Sequence, residues 1–416
     1  MKNRMKKEFL GFEGGLFSEV EKADVGDSFA KLAENGVALM GWADPFMPDF
    51  SIPEHIMEKT LEAIKSPVAA HYTAPTGNME LRAMICQKAK KMYGVDLNPA
   101  RNVIITPGSD SALFFAMYPF LEKGDEVIIP CPSYPNNMQN ITMMQATPVV
   151  LELNEAEDYQ INHQALESLV SNKTKMIVLT HPNNPTTTVY NHESLMAIRE
   201  VVLKHDLVLV CDQAFEDFTF ENEFIAPMAL DGMFEHTVTV CSISKGMGLS
   251  GYRVGYIMAS DVIMDVMYGC AVSVIGATNT VSQIAAIEAF KHPEFMDEFN
   301  RAYDIRRHQA YNILNTVPGV SMELPASGFL AWVDVSALGD SSAICKRLIS
   351  EAKVAVNDGI NYGPGGAGHL RIVLGVYRDD QQVIEALTRM AATLDAIAKE
   401  TVSYTHLRAH ETREDL

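Results

Sequence analysis

Seven short apolar runs between residues 100 and 260 constrain the fold most. Val and Ile dominate them, and their hydrophobicity is nearly continuous, which is typical of strands buried on both faces of a sheet. Helical patterns separate several of the runs, so the sequence predicts one large α/β domain with a mostly parallel seven-stranded sheet and right-handed crossovers. The runs are NVIIT (102–106), EVIIP (126–130), TPVVLEL (147–153), KMIVLT (175–180), LVLVC (207–211), TVTVC (237–241) and RVGYIMA (253–259).

The pattern changes after residue 295, which predicts a second, smaller α+β domain over 296–401. A long helix, the strand FLAWVDV, a Gly-rich bend, the strand HLRIVLG and a final helix follow one another there. The large domain is expected over 51–295. Residues 1–50 are expected to form an arm and an extended segment that packs with the small domain. Residues 402–416 lack the periodicity of the preceding helix and resemble translated adapter sequence, so we expect a non-native tail.

Composition excludes several classes of function. Lys and Arg total 33 against 53 Asp and Glu, a net charge of −20. A chain this acidic lacks the basic surface of a nucleic-acid-binding protein and has no polybasic attraction to lipid. No apolar run reaches the ~18 residues of a membrane-spanning helix. The six cysteines show no CxxC or zinc spacing, which favours reduced thiols in a cytoplasmic protein and no metal site.

The segment CSISKGMGLSGYRVGY (241–256) carries the first chemical signal, because Lys245 follows a buried strand on a Gly-rich loop. Open α/β sheets bind ligands at the carboxyl ends of their strands. A lysine desolvated there loses its proton and becomes a nucleophilic amine for Schiff-base chemistry. Taken alone, a surface lysine after a strand is the more common explanation.

Other strand ends add complementary groups. Asp212 ends an apolar strand, where an unpaired carboxylate is costly and a cationic ring nitrogen would be a suitable partner. Gly108, Ser109 and Asp110 stand at a turn from strand to helix, whose free N–H groups suit a phosphate, although Ser109 alone could be an ordinary N-cap. Three further residues follow strand ends or the Lys245 loop: Arg253 as a guanidinium for the same phosphate, Tyr134 in PSY as a stacking surface, and Asn184 on a Pro-fixed turn.

A lysine, a carboxylate, a phosphate cradle and an aromatic lid are what pyridoxal 5'-phosphate requires. With these motifs the sequence resembles the class I/II aminotransferases, which are fold-type I pyridoxal-phosphate enzymes. The matching motifs occur in family order over roughly residues 36–395. They are Tyr72 and Gly77 in HYTAPTGNMELR, the PGSDSAL loop, PSY, PNNPT, Asp212 in VCDQAF, SISK with Arg253, and Arg371 in HLRIVLG.

The resemblance implies a role for each matching residue. Lys245 forms the internal aldimine and moves the proton, while Asp212 holds the pyridine nitrogen protonated. Asn184 bonds the phenolic oxygen of the cofactor, and Tyr134 stacks on its ring. Arg371 binds the substrate α-carboxylate, and Gly41 lies in the loop that closes over it. The remaining residues hold the phosphate: Ser109, Asp110, Ser242, Arg253 and, from a neighbouring subunit, Tyr72, which implies a homodimer.

The sequence departs from the family pattern at several positions. His181 and Thr187 replace the outer Asn and Gly of the usual NPxNPTG, and Gln213 and Phe215 replace the Glu and Tyr of DExY. Phe215 cannot donate to the phenolic oxygen. Asp110 stands where some aspartate-specific relatives carry a lysine, which argues against a dicarboxylic donor.

An aminotransferase acting on an L-α-amino acid and a 2-oxo acid is the leading interpretation. A C–S β-lyase on the same fold is the alternative, because GWADPF resembles a segment of that subgroup. A regulator's effector-binding domain is a third, but the acidic charge argues against it.

Overall fold

The computed structural model describes residues 4–10 and 31–414, with side chains at all of them except 9–10 and 402–414. The predicted arm therefore falls partly outside the described residues. The strands in this part of the chain are β1 (Ala38–Leu39), β2 (Val103–Thr106), β3 (Glu126–Cys131), β4 (Thr147–Glu152), β5 (Thr174–Thr180), β6 (Val208–Asp212), β7 (Thr237–Ser242), β8 (Gly255–Met258), β9 (Leu330–Asp334), β10 (Val354–Ala355), β11 (Asn357–Asp358) and β12 (His369–Val373).

Helices alternate with the strands over most of the chain. Those described at full length are Lys7–Leu10, Glu54–Lys65, Met79–Tyr93, Ser109–Met117, Pro135–Met143, His163–Ser168, His192–His205, Asp261–Val274, Thr280–Lys291, Met296–Leu314, Ser341–Arg347 and Asp380–Glu414. The last helix continues through residue 401, where the sequence pattern of its first part ends. None of the helices among the described residues is both long enough and apolar enough to cross a membrane.

The large domain is built on a seven-stranded sheet in the order β2-β8-β7-β6-β5-β3-β4. Every one of the seven apolar runs forms one of these strands, which confirms the predicted α/β fold. Six strands run parallel, while β8 pairs antiparallel with both β2 and β7. The carboxyl ends of β2, β3, β5, β6 and β7 consequently meet at one edge of the sheet, where the polar residues of the site are found.

A three-stranded antiparallel sheet, in the order β11-β12-β9, forms the centre of the C-terminal part. Arg371 in β12 pairs with Asn357 on one side and Trp332 on the other. The short β1 pairs in parallel with β10. Met40 and Phe46 belong to the same apolar cluster as residues of this small sheet and of the last helix. The segment that follows β1 thus lies between the small sheet and the edge of the large one.

Candidate active site

A cavity of about 470 Å³ lies at the carboxyl edge of the large sheet, between that sheet and the small domain. Its walls combine strand ends, helix starts and the segment after β1. The residues that line it are Gly41, Trp42, Ala43, Asp44, Ser109, Asp110, Tyr134, Thr180, Asn184, Asp212, Ala214, Phe215, Ser244, Lys245, Ser250, Gly251, Arg253, Asn357 and Arg371. Nine of the eleven residues predicted from the sequence are in this set.

Lys245 follows β7 on a tight turn, and its amine donates to the carbonyl oxygen of Ala43. Burial lowers the pKa of the Lys245 amine to about 8, while the neighbouring Asp44 carboxylate opposes that shift and the Arg371 cation adds to it. At neutral to slightly alkaline pH a larger fraction of this amine is therefore unprotonated than of an exposed lysine, whose pKa is about 10.4. The site thus presents a nucleophilic amine.

Asp212 is the last residue of β6 and is buried. One carboxylate oxygen accepts from the backbone N–H of Ala214 at 3.1 Å. Burial nevertheless raises the pKa of Asp212 to about 7, with the backbone hydrogen bond opposing the shift. Desolvation disfavours the charged carboxylate. A cationic hydrogen-bond donor placed against it would offset that cost and favour the charged form.

The helix Ser109–Met117 begins at the cavity wall without a side-chain N-cap, because Gly108 precedes it with φ +82°. A Cβ at Gly108 would clash with the Arg253 guanidinium, and a Cβ at Gly255 would lie 2.8 Å from the backbone nitrogen of Ser109. Two glycines thus let Arg253 and the start of β8 approach the helix N-terminus. Free N–H groups, the helix dipole and a guanidinium together form an anion-binding corner.

Tyr134 and Asp110 form the wall beside this corner. The Tyr134 hydroxyl donates to Asp110 Oδ1 at 3.0 Å, and Asn136 Nδ2 donates to the same oxygen at 2.9 Å. Burial raises the pKa of Tyr134 well above its ordinary value, and the Asp110 charge adds to the rise. The phenol therefore stays neutral, and its ring presents an apolar surface to the cavity.

Arg371 is 1% exposed and lies on the small-domain side of the cavity. Nη2 donates to Gly41 O at 2.8 Å and to Asn357 Oδ1 at 2.5 Å, and Nη1 donates to Asn184 Oδ1 at 3.3 Å. A guanidinium has five N–H donors. Its Nε has no hydrogen-bond partner among the described residues. The guanidinium is therefore rigidly held while part of its donor capacity remains open, as in a receptor for a carboxylate.

Two predicted residues do not line the cavity. Ser242 ends β7 and is buried, with its hydroxyl accepting from the backbone N–H of Ser244 at 3.4 Å. Ser244 takes the position on the wall instead. Tyr72 is 97% exposed on the surface of the single chain.

Several residues of the cavity wall were not predicted from the sequence. Asp44 stands in the segment GWADPF, so its proximity to Gly41 in the sequence was the available signal. Ser244 and Ser250 stand in the Lys245 motif. Asn357 reaches Arg371 only because β11 and β12 pair in register, and no local pattern indicates that.

A family model of aminotransferase class I and II matches residues 43–390. That match spans most of the chain. The chain belongs to the class I and II aminotransferases. Members of this family depend on pyridoxal phosphate, so the chain is a pyridoxal-phosphate-dependent aminotransferase of fold type I, an enzyme that moves an amino group from an amino acid to a 2-oxo acid.

Similar proteins and solved structures are also aminotransferases. Aspartate aminotransferase of Pyrococcus horikoshii is 31% identical over 352 residues, which cover 84% of this chain and 89% of that protein. Aromatic-amino-acid aminotransferase 2 of Thermococcus litoralis is 30% identical, and the match covers 83% of this chain and 90% of that protein. Among solved structures, the aspartate aminotransferase of Thermus thermophilus with maleate has a TM-score of 0.84 at 26% identity, covering 94% of this chain and 99% of that one. The C–S β-lyase alternative receives no support from these comparisons.

The cavity fits the cofactor of this family on its own chemistry. The carboxylate of Asp212 is desolvated and lacks a cationic partner within hydrogen-bonding distance among the described residues, which suits a protonated ring nitrogen. The glycine-lined helix start and Arg253 suit a phosphate. The amine of Lys245 opens onto the same space.

Proposed function

We propose that Lys245 is the residue to which pyridoxal phosphate attaches and that it moves the proton at the substrate Cα. Bound pyridoxal phosphate supplies the electron sink that weakens the Cα–H bond. The observation that carries the proposal is the lowered pKa of the Lys245 amine in a cavity that also contains Asp212 and Arg371. An amine with a pKa near the working pH both accepts and returns a proton efficiently.

The other proposed roles follow from position. Asp212 pairs with the ring nitrogen, Tyr134 packs on the ring, and Asn184 bonds the phenolic oxygen. Arg253, Ser109 and the backbone at Asp110 bind the phosphate, with Ser242 supporting the loop through Ser244. Arg371 binds the α-carboxylate beneath the segment that contains Gly41.

Attachment is tested by reducing the cofactor-loaded chain with borohydride and mapping the modified peptide. Modification at Lys245 is the expected result, and modification elsewhere would contradict the proposal. The Lys245→Ala variant should take up no covalent cofactor and show no turnover, because no other group returns the proton. Lys123, an unrelated lysine outside the cavity, provides the matched control variant Lys123→Ala.

We also propose that the preferred donor has no side-chain carboxylate. The cations that line the cavity are Lys245, Arg253 and Arg371, and each already has a proposed partner. Asp44 and Asp110 add negative charge to the same walls. A panel of neutral, aromatic and acidic amino acids, compared by the rate at which each consumes the visible absorbance of the loaded enzyme, tests this. Aspartate reacting faster than every neutral donor would contradict it.

Homodimerisation is proposed from Tyr72, whose aromatic ring is almost fully exposed in the single chain, as are the side chains of Val68 and Met79 in part, a few positions away in the sequence. Sedimentation of the full chain tests the state. Mixing Tyr72→Ala with Lys245→Ala should restore part of the activity, because a hybrid dimer holds one complete site. If the mixture stays inactive although the hybrid dimer has formed, a shared site is excluded.

All six cysteines are free thiols, and five of them are buried, which supports a reducing, cytoplasmic location. Transamination supports a role in amino-acid biosynthesis.

A further inference from the structure

Behind the cavity, a buried ionic cluster joins the helix Met79–Tyr93 to the chain that follows β6. The Lys88 ammonium donates to Glu216 Oε1 at 2.6 Å and lies 2.8 Å from Asp217 Oδ1. The side chains are 14%, 2% and 8% exposed. Burial alone would lower the pKa of Lys88, but the two carboxylates raise it well above its ordinary value. The cation is therefore held firmly in place.

The cluster reaches the residue beside Asp212. Glu216 Oε2 accepts from the Gln213 side-chain amide at 2.7 Å and from the Tyr93 hydroxyl. Gln213 follows Asp212 directly, and its backbone N–H donates to Val240 O in β7 at 2.8 Å. The turn after β6 is thus tied to the neighbouring strand by its backbone and to Glu216 by its side chain.

The cluster also reaches the residue beside Lys245. A Cβ at Gly246 would lie 2.7 Å from Cγ and 2.9 Å from Cβ of Asp217. The Asp217 carboxylate therefore occupies the space that a side chain at Gly246 would need, and the backbone there rests directly on it. Because Lys88 holds that carboxylate from the other side, the turn that carries Lys245 has a fixed floor.

We infer that Asp217, held by the Lys88 ammonium that Glu216 also binds, is a positioning residue that fixes the turn bearing Lys245 against the strand end bearing Asp212. None of the three side chains lines the cavity, so they act through Gly246 and Gln213. The inference rests on the proposed role of Lys245 as the site of cofactor attachment.

Variants can separate the effect of the charge at position 217 from the effect of its side-chain volume. The cluster holds two carboxylates and one ammonium, so Asp217→Asn leaves one neutral pair and keeps the floor beneath Gly246. Asp217→Ala leaves the same pair but removes the floor. Lys88→Met leaves two buried carboxylates without their cation, which is the costliest change, and Lys88→Arg keeps a cation that can donate to both carboxylates.

The test measures the cofactor dissociation constant and the pH midpoint of Lys245 acylation in the full chain freed of cofactor by dialysis. The charged groups that face Lys245 from the surrounding elements are Asp44, Asp110, Asp212, Arg253 and Arg371, and all are unchanged in these variants. We expect Asp217→Ala to weaken cofactor binding about tenfold or more, because the displaced Lys245 amine no longer meets the cofactor in the geometry that attachment requires. Its acylation midpoint should rise toward about 10.4, because water reaches the loosened amine. Asp217→Asn should change neither quantity, and Lys88→Arg should recover most of the loss seen in Lys88→Met.

Leu195→Ala is the stability control, since this buried leucine lies in a different apolar cluster from the residues that flank Lys245. It should lower the melting temperature without moving the acylation midpoint. The inference is overturned if Asp217→Ala leaves both quantities at the wild-type values, or if Leu195→Ala moves the midpoint equally. Failure of borohydride to trap cofactor on Lys245 in the wild-type chain would instead refute the proposed function, whatever the cluster variants do.

Discussion

Replacing Arg371 should damage substrate binding without affecting the cofactor. Three of its hydrogen bonds go to Gly41, Asn184 and Asn357, so at most two of the five N–H donors stay open unless a bound carboxylate displaces one of these partners. Each charge-assisted bond contributes about 1.5–3 kcal/mol. Losing two of them in Arg371→Met gives about 3–6 kcal/mol, or roughly 10²- to 10⁴-fold in kcat/KM at 1.36 kcal/mol per tenfold.

The assay is the single-turnover reaction of the loaded enzyme with an L-amino acid, compared with the matching amine that lacks the α-carboxylate. We expect the amino-acid rate constant to fall by that factor and the slow amine reaction to change little. Arg371→Lys should lie between Met and wild type, because an ammonium keeps the charge but not the fork. The matched variant Arg253→Met should instead weaken cofactor binding.

Two results would refute this reasoning. One is an amino-acid rate constant of Arg371→Met that stays within about threefold of the wild-type value. Such a change is well below the loss expected from even one charge-assisted hydrogen bond. The other is an equal loss for the amino acid and the amine, which would indicate a general distortion of the cavity rather than a lost carboxylate receptor.

Three further predictions concern stability and the cofactor environment. Because burial raises the pKa of Asp212 from 3.8 to about 7, the cofactor-free chain is stabilised below pH ~4 and loses that contribution as the pH rises to about 7. Chemical unfolding at pH 8 should therefore find Asp212→Asn more stable by up to about 4 kcal/mol (1.36 kcal/mol per unit), an advantage that disappears near pH 4. Phe215→Tyr adds a donor for the phenolic oxygen, so the visible absorbance of the loaded enzyme should titrate at a pH lower by about one to two units; a midpoint equal to or above wild type would exclude Phe215 as a tuning position. Removing residues 402–416 should leave the melting temperature and turnover unchanged, and a marked fall on truncation would show that the tail is docked.

The sheet was predictable because its strands are buried on both faces and therefore read as continuous apolar runs. The direction of β8 was not, since an antiparallel strand inside a parallel sheet has the same hydrophobic pattern as its neighbours. The site followed from strand ends: Asp212 is the last residue of a buried strand, Asn184 and Lys245 come within four residues after one, and the sheet brings those ends together.

Contacts between distant segments could not be predicted. Asn357 reaches Arg371 through the register of two short strands, and Lys88 meets Glu216 and Asp217 across about 130 positions of chain. A buried lysine in an amphipathic helix has the same local pattern as an exposed one, because charge spacing does not record which face a partner covers.

The segment after β1 makes several of its anchoring contacts with backbone atoms. The carbonyl oxygens of Gly41 and Ala43 accept from Arg371 and Lys245, and the N–H of Phe46 donates to Gly375 O at 2.6 Å. A Cβ at Gly41 would lie 3.2 Å from Asn357 Nδ2, so there is little room at this position for any residue larger than glycine. Trp42 and Asp44 also line the cavity, and the Asp44 carboxylate accepts from the Ser250 hydroxyl and opposes the lowering of the Lys245 pKa. A substitution at position 44 would therefore change the reacting amine together with the wall of the cavity, so donor preference and proton transfer are coupled at this residue.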